Sequence, residues 1–260
     1  MTSINSNIPI IILAGGKGER FINKENLPKQ LTTIAKHPII IEIILYYFKK
    51  GFNHFILPLG YKVEFFLDFF KNAKNIKKYN LKILKNKNDK LDNSKINILI
   101  FNSGIKDNKL IRIKKSIKLL DENIRKIGVC YGDIFANVSF KKELSYLEKK
   151  NISGVVAGFN EKSPYGHLDI KNNIVKKFFE KPKLKDPINI GFYFFSKKIF
   201  SNLDIKTISD LEADFLPKLC KFNKLACYIH KGFHFTVNSQ KDLIQIKKKY
   251  KKNKNFFSNF

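Results

Sequence analysis

The sequence predicts an α/β protein: a Rossmann-like, mostly parallel mixed sheet flanked by helices, formed by residues 1–260 as a single domain. Three observations carry this. The apolar run Ile8–Leu13 stops abruptly at the glycine-rich turn Ala14-Gly-Gly-Lys-Gly-Glu-Arg20. The first seventy residues alternate strand, helix, strand, helix, the pattern of a parallel sheet with right-handed crossovers. A second buried strand, Ile127–Tyr131, ends at Gly132-Asp133, and ligands of open α/β sheets bind outside such carboxyl ends.

The elements follow in order. Pro38–Lys50 reads as a helix, with proline near its start, apolar Ile40, Ile41, Ile44, Leu45 and Phe48, and Gly51 beyond its end. Phe52–Leu59 reads as a strand and Val63–Phe70 as a helix. Asn86–Lys95, rich in Lys, Asn and Asp, reads as a solvated loop. Ile96–Phe101 is a strand, Leu110–Leu120 a lysine-rich helix, and Ser139–Lys150 another helix. Gly154–Phe159, Gly166–Ile170, Ile174–Glu180 and Ile190–Phe195 then read as strands with little helix between them. They suggest a partly antiparallel extension of the same sheet. Thr207–Phe222 reads as a helix, Ala226–Ile229 as a strand and Ser239–Tyr250 as a closing helix.

Composition narrows the class. The formal net charge is +28, with 50 Lys and Arg against 22 Asp and Glu. The lysines are spread along the chain and match no nucleic-acid module. Together with abundant Asn, Ile and Phe and the absence of Trp, they read as a coding bias towards AT-rich codons. No specific nucleic-acid partner is expected. Cys130, Cys220 and Cys227 lack a C-x-x-C spacing and are expected to be reduced, each a small core hydrophobe, as in a cytoplasmic protein. The polar Met1–Asn7 lacks a basic n-region, and the apolar run after it is too short for stable membrane insertion. The tail Lys247–Phe260 reads as a fraying helix end with solvated lysines; contact with an anionic lipid surface is the alternative.

The chemistry concentrates at strand ends. Glycines let main-chain N–H groups approach phosphate oxygens, and Arg20 and Lys29 add fixed positive charge. The spacing is neither a P-loop nor G-x-G-x-x-G, and Gly-Gly also follows strands at ordinary βα turns. Asp133 can hold Mg²⁺, which takes one or two carboxylates with phosphate oxygens and water; a turn cap is its ordinary role. Phe179-Glu-Lys-Pro182 can present an ammonium to a second anion. In Ile188-Asn-Ile-Gly-Phe192, Asn189 can reach hydroxyl groups or cap a turn.

In this order the motifs resemble those of the sugar-1-phosphate nucleotidyltransferases, and within them the glucose-1-phosphate cytidylyltransferases, from about Ile8 to Lys249. Leu13-Ala-Gly-Gly-Lys-Gly-Glu-Arg20 resembles L-A-G-G-x-G-T-R, and Leu27-Pro-Lys-Gln30 stands at the place of K-P-K-P. Gly60-Tyr-Lys62, Ser103-Gly104, Tyr131-Gly-Asp133 and Tyr165-Gly-His-Leu-Asp-Ile170 resemble G-Y-K, T-G, Y-G-D-G and F-G-A-L-D-I. Glu180-Lys-Pro182 and Asn189-Ile-Gly191 resemble E-K-P and N-G-G. Of a T-G-G-R segment, Lys109-Leu-Ile-Arg112 keeps the arginine. Ile134 replaces a glycine, and Val237-Asn-Ser239 stands where the family carries a second metal aspartate.

The resemblance implies the nucleotidyltransferase fold, with a nucleotide-binding part at about 8–135 and a sugar-phosphate-binding part at about 136–250. It implies Arg20, Lys29 and Asp133 as catalytic groups. The nucleotide would be held by Leu13, Ala14, Gly15, Gly16, Gly18, Glu19, Arg20, Lys29, Ser103, Gly104, Arg112 and Gly132. The sugar phosphate would be held by Gly166, Glu180, Lys181, Asn189 and Gly191, and Mg²⁺ by Asp133 and Asn238. The implied substrates are a nucleoside triphosphate, CTP first, and a sugar 1-phosphate, glucose 1-phosphate first. Members often assemble, so a homo-oligomer is an open expectation. Two alternatives remain: a different base or acceptor, or a weakly active nucleotide-binding paralogue in which Asn238 replaces the aspartate.

Overall fold

The computed structural model describes residues 7–16, 18, 21, 26–34, 36–201 and 210–252. β1 (Ile10–Leu13) leads through a loop and a 3₁₀ turn, Lys29–Leu31, to α1 (Ile39–Lys49). β2 (His54–Leu59), α2 (Val63–Lys71), α3 (Ala73–Tyr79) and β3 (Leu81–Leu84) follow, then β4 (Ile96–Asn102), α4 (Lys109–Lys118) and β5 (Lys126–Tyr131). The second part contains β6 (Ile134–Ala136), α5 (Phe140–Leu147), β7 (Gly154–Phe159), β8 (His167–Lys171), β9 (Ile174–Phe179) and β10 (Ile188–Ser196). A π-helical turn, Leu211–Phe215, runs into α6 (Leu216–Lys221), followed by β11 (Leu225–His230), β12 (His234–Thr236) and α7 (Gln240–Lys252).

One sheet of eight strands organises the chain, in the order β11-β7-β10-β5-β1-β2-β4-β3. β1 pairs in parallel with β2 and β5, as do β2 and β3 with β4 and β11 with β7; β10 runs antiparallel between β5 and β7. Every β1 residue is buried, because helices cover both faces of the sheet, and the run is therefore uniformly apolar rather than alternating. Ile10 and Ile12 join one core cluster with Ile40 and Ile44 of α1, Phe66 of α2 and Leu144 of α5. Ile11 and Leu13 point the other way, to Leu110 and Ile113 of α4 and Leu219 of α6. Burying these side chains stabilises the fold by roughly 1.5–3 kcal/mol each.

The mixed second half agrees with the expectation, with one correction. The segments around 166–180 do not extend the sheet: β8 and β9 pair only with each other in a separate two-stranded ribbon. α3 and β3 were not foreseen. Asn72 caps α3 by accepting from the N–H groups of Lys74 and Asn75, and Asn80 ends it at φ +52°, a left-handed turn that asparagine tolerates. Polar capping chemistry within a lysine-rich stretch masks the element. The cysteines need a second correction. Cys130 is buried, but Cys220 and Cys227 are exposed, on the last turn of α6 and on edge strand β11. Among the described residues no helix is long and apolar enough to cross a membrane.

Candidate active site

The groups expected to meet phosphate lie at the carboxyl ends of β1, β2, β4 and β5. Behind the first glycine turn stands Arg112, 4% exposed. Its Nε donates to Asp107 O at 3.0 Å, its Nη1 to Pro58 O at 2.9 Å, and its Nη2 to Gly15 O at 3.1 Å and Gly104 O at 2.9 Å. One guanidinium thus ties the end of β2 to the loops after β1 and β4. A Cβ on Gly15 would collide with that guanidinium and stand 2.9 Å from Gly60 N, so this position requires glycine. Gly16 and Gly18 differ: a Cβ on either would meet nothing within 4 Å, and Gly18 has φ +61°. The loop is packed behind and open in front, which is the shape an anion cradle needs. Glu19 and Arg20 lie outside the described residues.

Lys29 and Asp133 meet across the mouth of this loop, with Lys29 Nζ 2.5 Å from Asp133 Oδ2 and the two side chains 9% and 22% exposed. Pro28 and the 3₁₀ turn fix Lys29, and Gly132 lets β5 pass close to β1: its N–H donates to Leu13 O at 3.1 Å, and a Cβ there would stand 2.9 Å from that of Ala14. The unforeseen ribbon β6–β12 matters here. It pairs Thr236 with Ile134, and Val237 N donates to Asp133 O at 2.9 Å, setting exposed Asn238 beside Asp133. Asn238 N and Ser239 N donate to Asp242 Oδ2 at 3.0 and 2.8 Å, which anchors the turn into α7.

A cleft of about 430 Å³ opens at this point, lined by Ile134, Glu161, Asn189, His234, Thr236 and Asn238 among others. It brings the expected sugar-side residue Asn189 and metal-side residue Asn238 to one wall. Asn189 Oδ1 accepts from Gly191 N at 2.9 Å and its Nδ2 donates to Tyr193 OH at 2.5 Å. Gly191 has φ +70° with the Tyr131 ring against it, a site for glycine alone. Burial pushes the His234 imidazole down to about 4, helped by His230, so it is neutral at pH 7.

Other expectations fall differently. Ser103 is 5% exposed and its hydroxyl donates to Asp107 Oδ2 at 2.6 Å; it shapes the turn at Gly104, which has φ +118°. Burial works to raise the Asp107 pKa, but hydrogen bonds from Lys115 and Ser103 and the charges of Lys115 and Arg112 hold it below the usual range. Gly166, Glu180 and Lys181 sit on or beside the β8–β9 ribbon, where exposed Glu180 and Lys181 pair with each other at 3.1 Å.

Sequence reasoning missed Glu212. It takes Lys109 Nζ at 2.6 Å and the Tyr131 hydroxyl, and Tyr131 OH lies 3.0 Å from Tyr193 OH, which meets Asn189. This chain links α4 to the cleft wall. Asp210 starts the π-helical turn by accepting from Glu212 N and Ala213 N at 2.8 Å, and π turns recur at functional sites. The acidic Asp210-Leu-Glu-Ala-Asp214 was the available signal.

A mostly parallel sheet with a glycine loop, a lysine and a carboxylate converging at its carboxyl edge defines a phosphate-handling α/β enzyme. The chain belongs to the nucleotidyl transferase family, whose model matches residues 10–253. It is 30% identical over 245 residues to the "Probable glucose-1-phosphate cytidylyltransferase" of Bacillus subtilis, covering 92% of this chain and 94% of that one. It is 23% identical to the glucose-1-phosphate cytidylyltransferase of Salmonella typhimurium, over 94% and 96% of the two chains. Its fold matches HddC from Yersinia pseudotuberculosis with a TM-score of 0.66, 23% identity and coverage of 94% and 99%.

Proposed function

We propose that the chain joins CTP to glucose 1-phosphate and releases pyrophosphate, giving a cytoplasmic nucleotide-sugar donor for surface polysaccharide. A phosphate oxygen of the sugar 1-phosphate attacks the α-phosphorus in line, a new P–O bond forms, and the bond to the β-phosphate oxygen breaks. The attacking oxygen is already anionic, so no strong general base is needed, and catalysis rests on positioning and charge neutralisation. In this reading the Gly16–Gly18 amides and Lys29, with Arg20, hold the triphosphate. Arg112 and Ser103 act behind the loops as positioning residues. Lys181 and Glu180 meet the sugar phosphate, and Asn189 a sugar hydroxyl.

Among the described residues no cluster of three or more His, Cys, Asp or Glu side chains could hold a metal. The site fits Mg²⁺ of the other kind, which takes one carboxylate and completes its shell with substrate oxygens and water. Asp133 would supply that carboxylate and Asn238 a neutral carbonyl oxygen. The ion, when bound, neutralises phosphate charge. Lys29 balances Asp133 in the free chain and offers its ammonium to the phosphates.

The observation carrying this reading is the convergence of Lys29, Asp133 and Asn238 beside the cleft that Asn189 lines. The Bacillus subtilis relative supports the choice of CTP and glucose 1-phosphate. Asn238 in place of an aspartate favours one alternative, a weakly active or differently selective relative. The test is pyrophosphate release with Mg²⁺, each of the common ribonucleoside triphosphates and dTTP, and a panel of sugar 1-phosphates. CTP with glucose 1-phosphate is expected to give the highest kcat/KM. Preference for another pair would reassign the substrates, and no release with any pair would sink the reading.

A further inference from the structure

Two tyrosine hydroxyls meet behind Asn189, and the groups at either end dictate which way their protons point. The Asn189 amide is one fixed end. The Gly191 N–H only donates, and Asn189 Oδ1 accepts it at 2.9 Å, so the amide has a single orientation. Nδ2 then donates to the Tyr193 hydroxyl at 2.5 Å. Glu212 is the other fixed end. Its ionised carboxylate only accepts, and Oε1 takes Lys109 Nζ at 2.6 Å together with the Tyr131 hydroxyl. Between the ends, Tyr131 OH and Tyr193 OH lie 3.0 Å apart. Tyr193 has accepted from Asn189, so it gives its one proton to Tyr131, and Tyr131 gives its own to Glu212.

Packing keeps this line in place. Tyr193 is 1% exposed, and its ring stacks on Phe195 at 5.7 Å and meets the Tyr131 ring edge-on at 5.9 Å. The Tyr131 ring takes the space of a side chain at Gly191, where a Cβ would stand 2.6 Å from its Cδ2. Burial, against the Asn189 hydrogen bond and the Lys109 charge, pushes the Tyr193 hydroxyl up to about 12, so it keeps its proton at pH 7. Asn189 Nδ2 carries a second hydrogen, and no partner for it stands among the described residues. Asn189 lines the cleft of about 430 Å³, so this hydrogen is left for an occupant; Glu212 does not line the cleft and acts only through the tyrosines.

We propose that Glu212 is a positioning residue for the sugar phosphate: it ends this line of hydrogen bonds on a fixed acceptor, holds Asn189 as a donor towards the cleft, and so selects a substrate oxygen that accepts. This rests on the reading above that Asn189 meets the sugar. Without the acceptor, the Tyr131 proton turns back to Tyr193. Tyr193 then loses its own outlet, its proton competes for the space in front of Asn189 Nδ2, and the amide is no longer held in one orientation. Glu212 lies in the π-helical turn, Lys109 on α4, Tyr131 on β5, and Asn189 and Tyr193 on β10, so four elements set one amide.

Steady-state kinetics test it on whichever substrate pair releases pyrophosphate. Glu212→Leu is expected to raise KM for the sugar 1-phosphate about 10-fold, as for loss of one well-placed hydrogen bond, with KM for the triphosphate unchanged. Tyr131→Phe cuts the same line and keeps the ring against Gly191; it should give the same split, and the double variant should add nothing further. Glu212→Gln keeps an oxygen for Tyr131 and should stay within about threefold of the parent. Fluorine accepts and does not donate, so at one ring position the parent should use the deoxyfluoro sugar 1-phosphate better than the deoxy one, and Glu212→Leu should lose that preference. A second readout needs no turnover. The side-chain amide NMR signal of Asn189, identified by its loss in Asn189→Asp, should shift in Glu212→Leu and Tyr131→Phe and hold in Glu212→Gln. If no substrate pair is active, the catalytic reading fails and this signal alone decides the positioning role. An unmoved Asn189 signal, an unchanged KM for the sugar 1-phosphate, a rise in KM for both substrates together, or equal use of deoxy and deoxyfluoro sugars at every position would overturn the proposal.

Discussion

Replacing Arg112 by methionine keeps the aliphatic stem and removes the guanidinium that joins the end of β2 to the loops after β1 and β4. The carbonyls of Pro58, Gly15, Gly104 and Asp107 each lose a donor, while Gly15 O keeps one from Tyr61 N at 3.2 Å. Leaving one buried acceptor unpaired costs about 1–3 kcal/mol. The full sum is not reached, because burial of the guanidinium has its own cost, visible in the lowered Arg112 pKa. A net loss of about 3–4 kcal/mol is expected, which for a chain of this size lowers the thermal midpoint by roughly 6–16 °C. Calorimetry and urea unfolding measure it. Arg112→Lys should recover little, since one ammonium cannot span the same carbonyls. A midpoint within about 2 °C of the parent for Arg112→Met would refute the clamp.

Three further outcomes follow. Gly15→Ala should destabilise strongly because its Cβ meets Arg112 and Gly60, whereas Gly16→Ala should leave the thermal midpoint unchanged and weaken triphosphate binding; equal midpoints would remove the packed-behind, open-in-front loop. Glu143 is 0% exposed, neither of its carboxylate oxygens has a hydrogen-bond partner among the described residues, and burial raises its pKa well above the ordinary value of 4.5. The folded state therefore keeps a proton that the unfolded chain loses, so stability falls as pH rises above about 4.5, by up to about 1.4 kcal/mol per pH unit. Glu143→Met should remove that slope, and urea unfolding across pH 5–8 reads the difference; parallel curves for variant and parent would contradict it. Asn238→Asp adds a second carboxylate beside Asp133, and should tighten Mg²⁺ dependence and raise pyrophosphate release if the natural residue impairs the enzyme; reduced turnover would mean that asparagine suits its own substrate.

The sheet was legible because its central strands are buried on both faces. Ile10–Leu13, Ile127–Tyr131 and Ile98–Phe101 read as apolar runs without polar interruption, and that pattern survives without alignment. The glycine-rich loop was legible for a different reason: glycine is the residue that turns a chain sharply after a strand, as Gly18 does at φ +61°, although the close approach of Arg112 and Gly60 to Gly15 shows only in the fold. Long-range partners were not. Arg112 was expected near the nucleotide, and only the fold shows its donors spent on loop carbonyls. Ser103 was expected at the base pocket, but its hydroxyl is committed to Asp107. β6, β12 and Glu212 are short or isolated in sequence, and their meaning comes from pairing across about a hundred residues of chain, which periodicity does not encode. The detached ribbon was misread because alternation predicts a strand without saying which sheet it joins.

Calorimetric titration of CTP in saturating Mg²⁺, on the parent chain and on Lys29→Met, bears most directly on the claim that Lys29, Asp133 and the loop at Gly16 receive one triphosphate. The account predicts one site per chain, with affinity reduced about 10- to 100-fold in the variant, as for loss of a charge-assisted hydrogen bond. Absence of heat with every nucleoside triphosphate, or identical affinity in the two proteins, would contradict it.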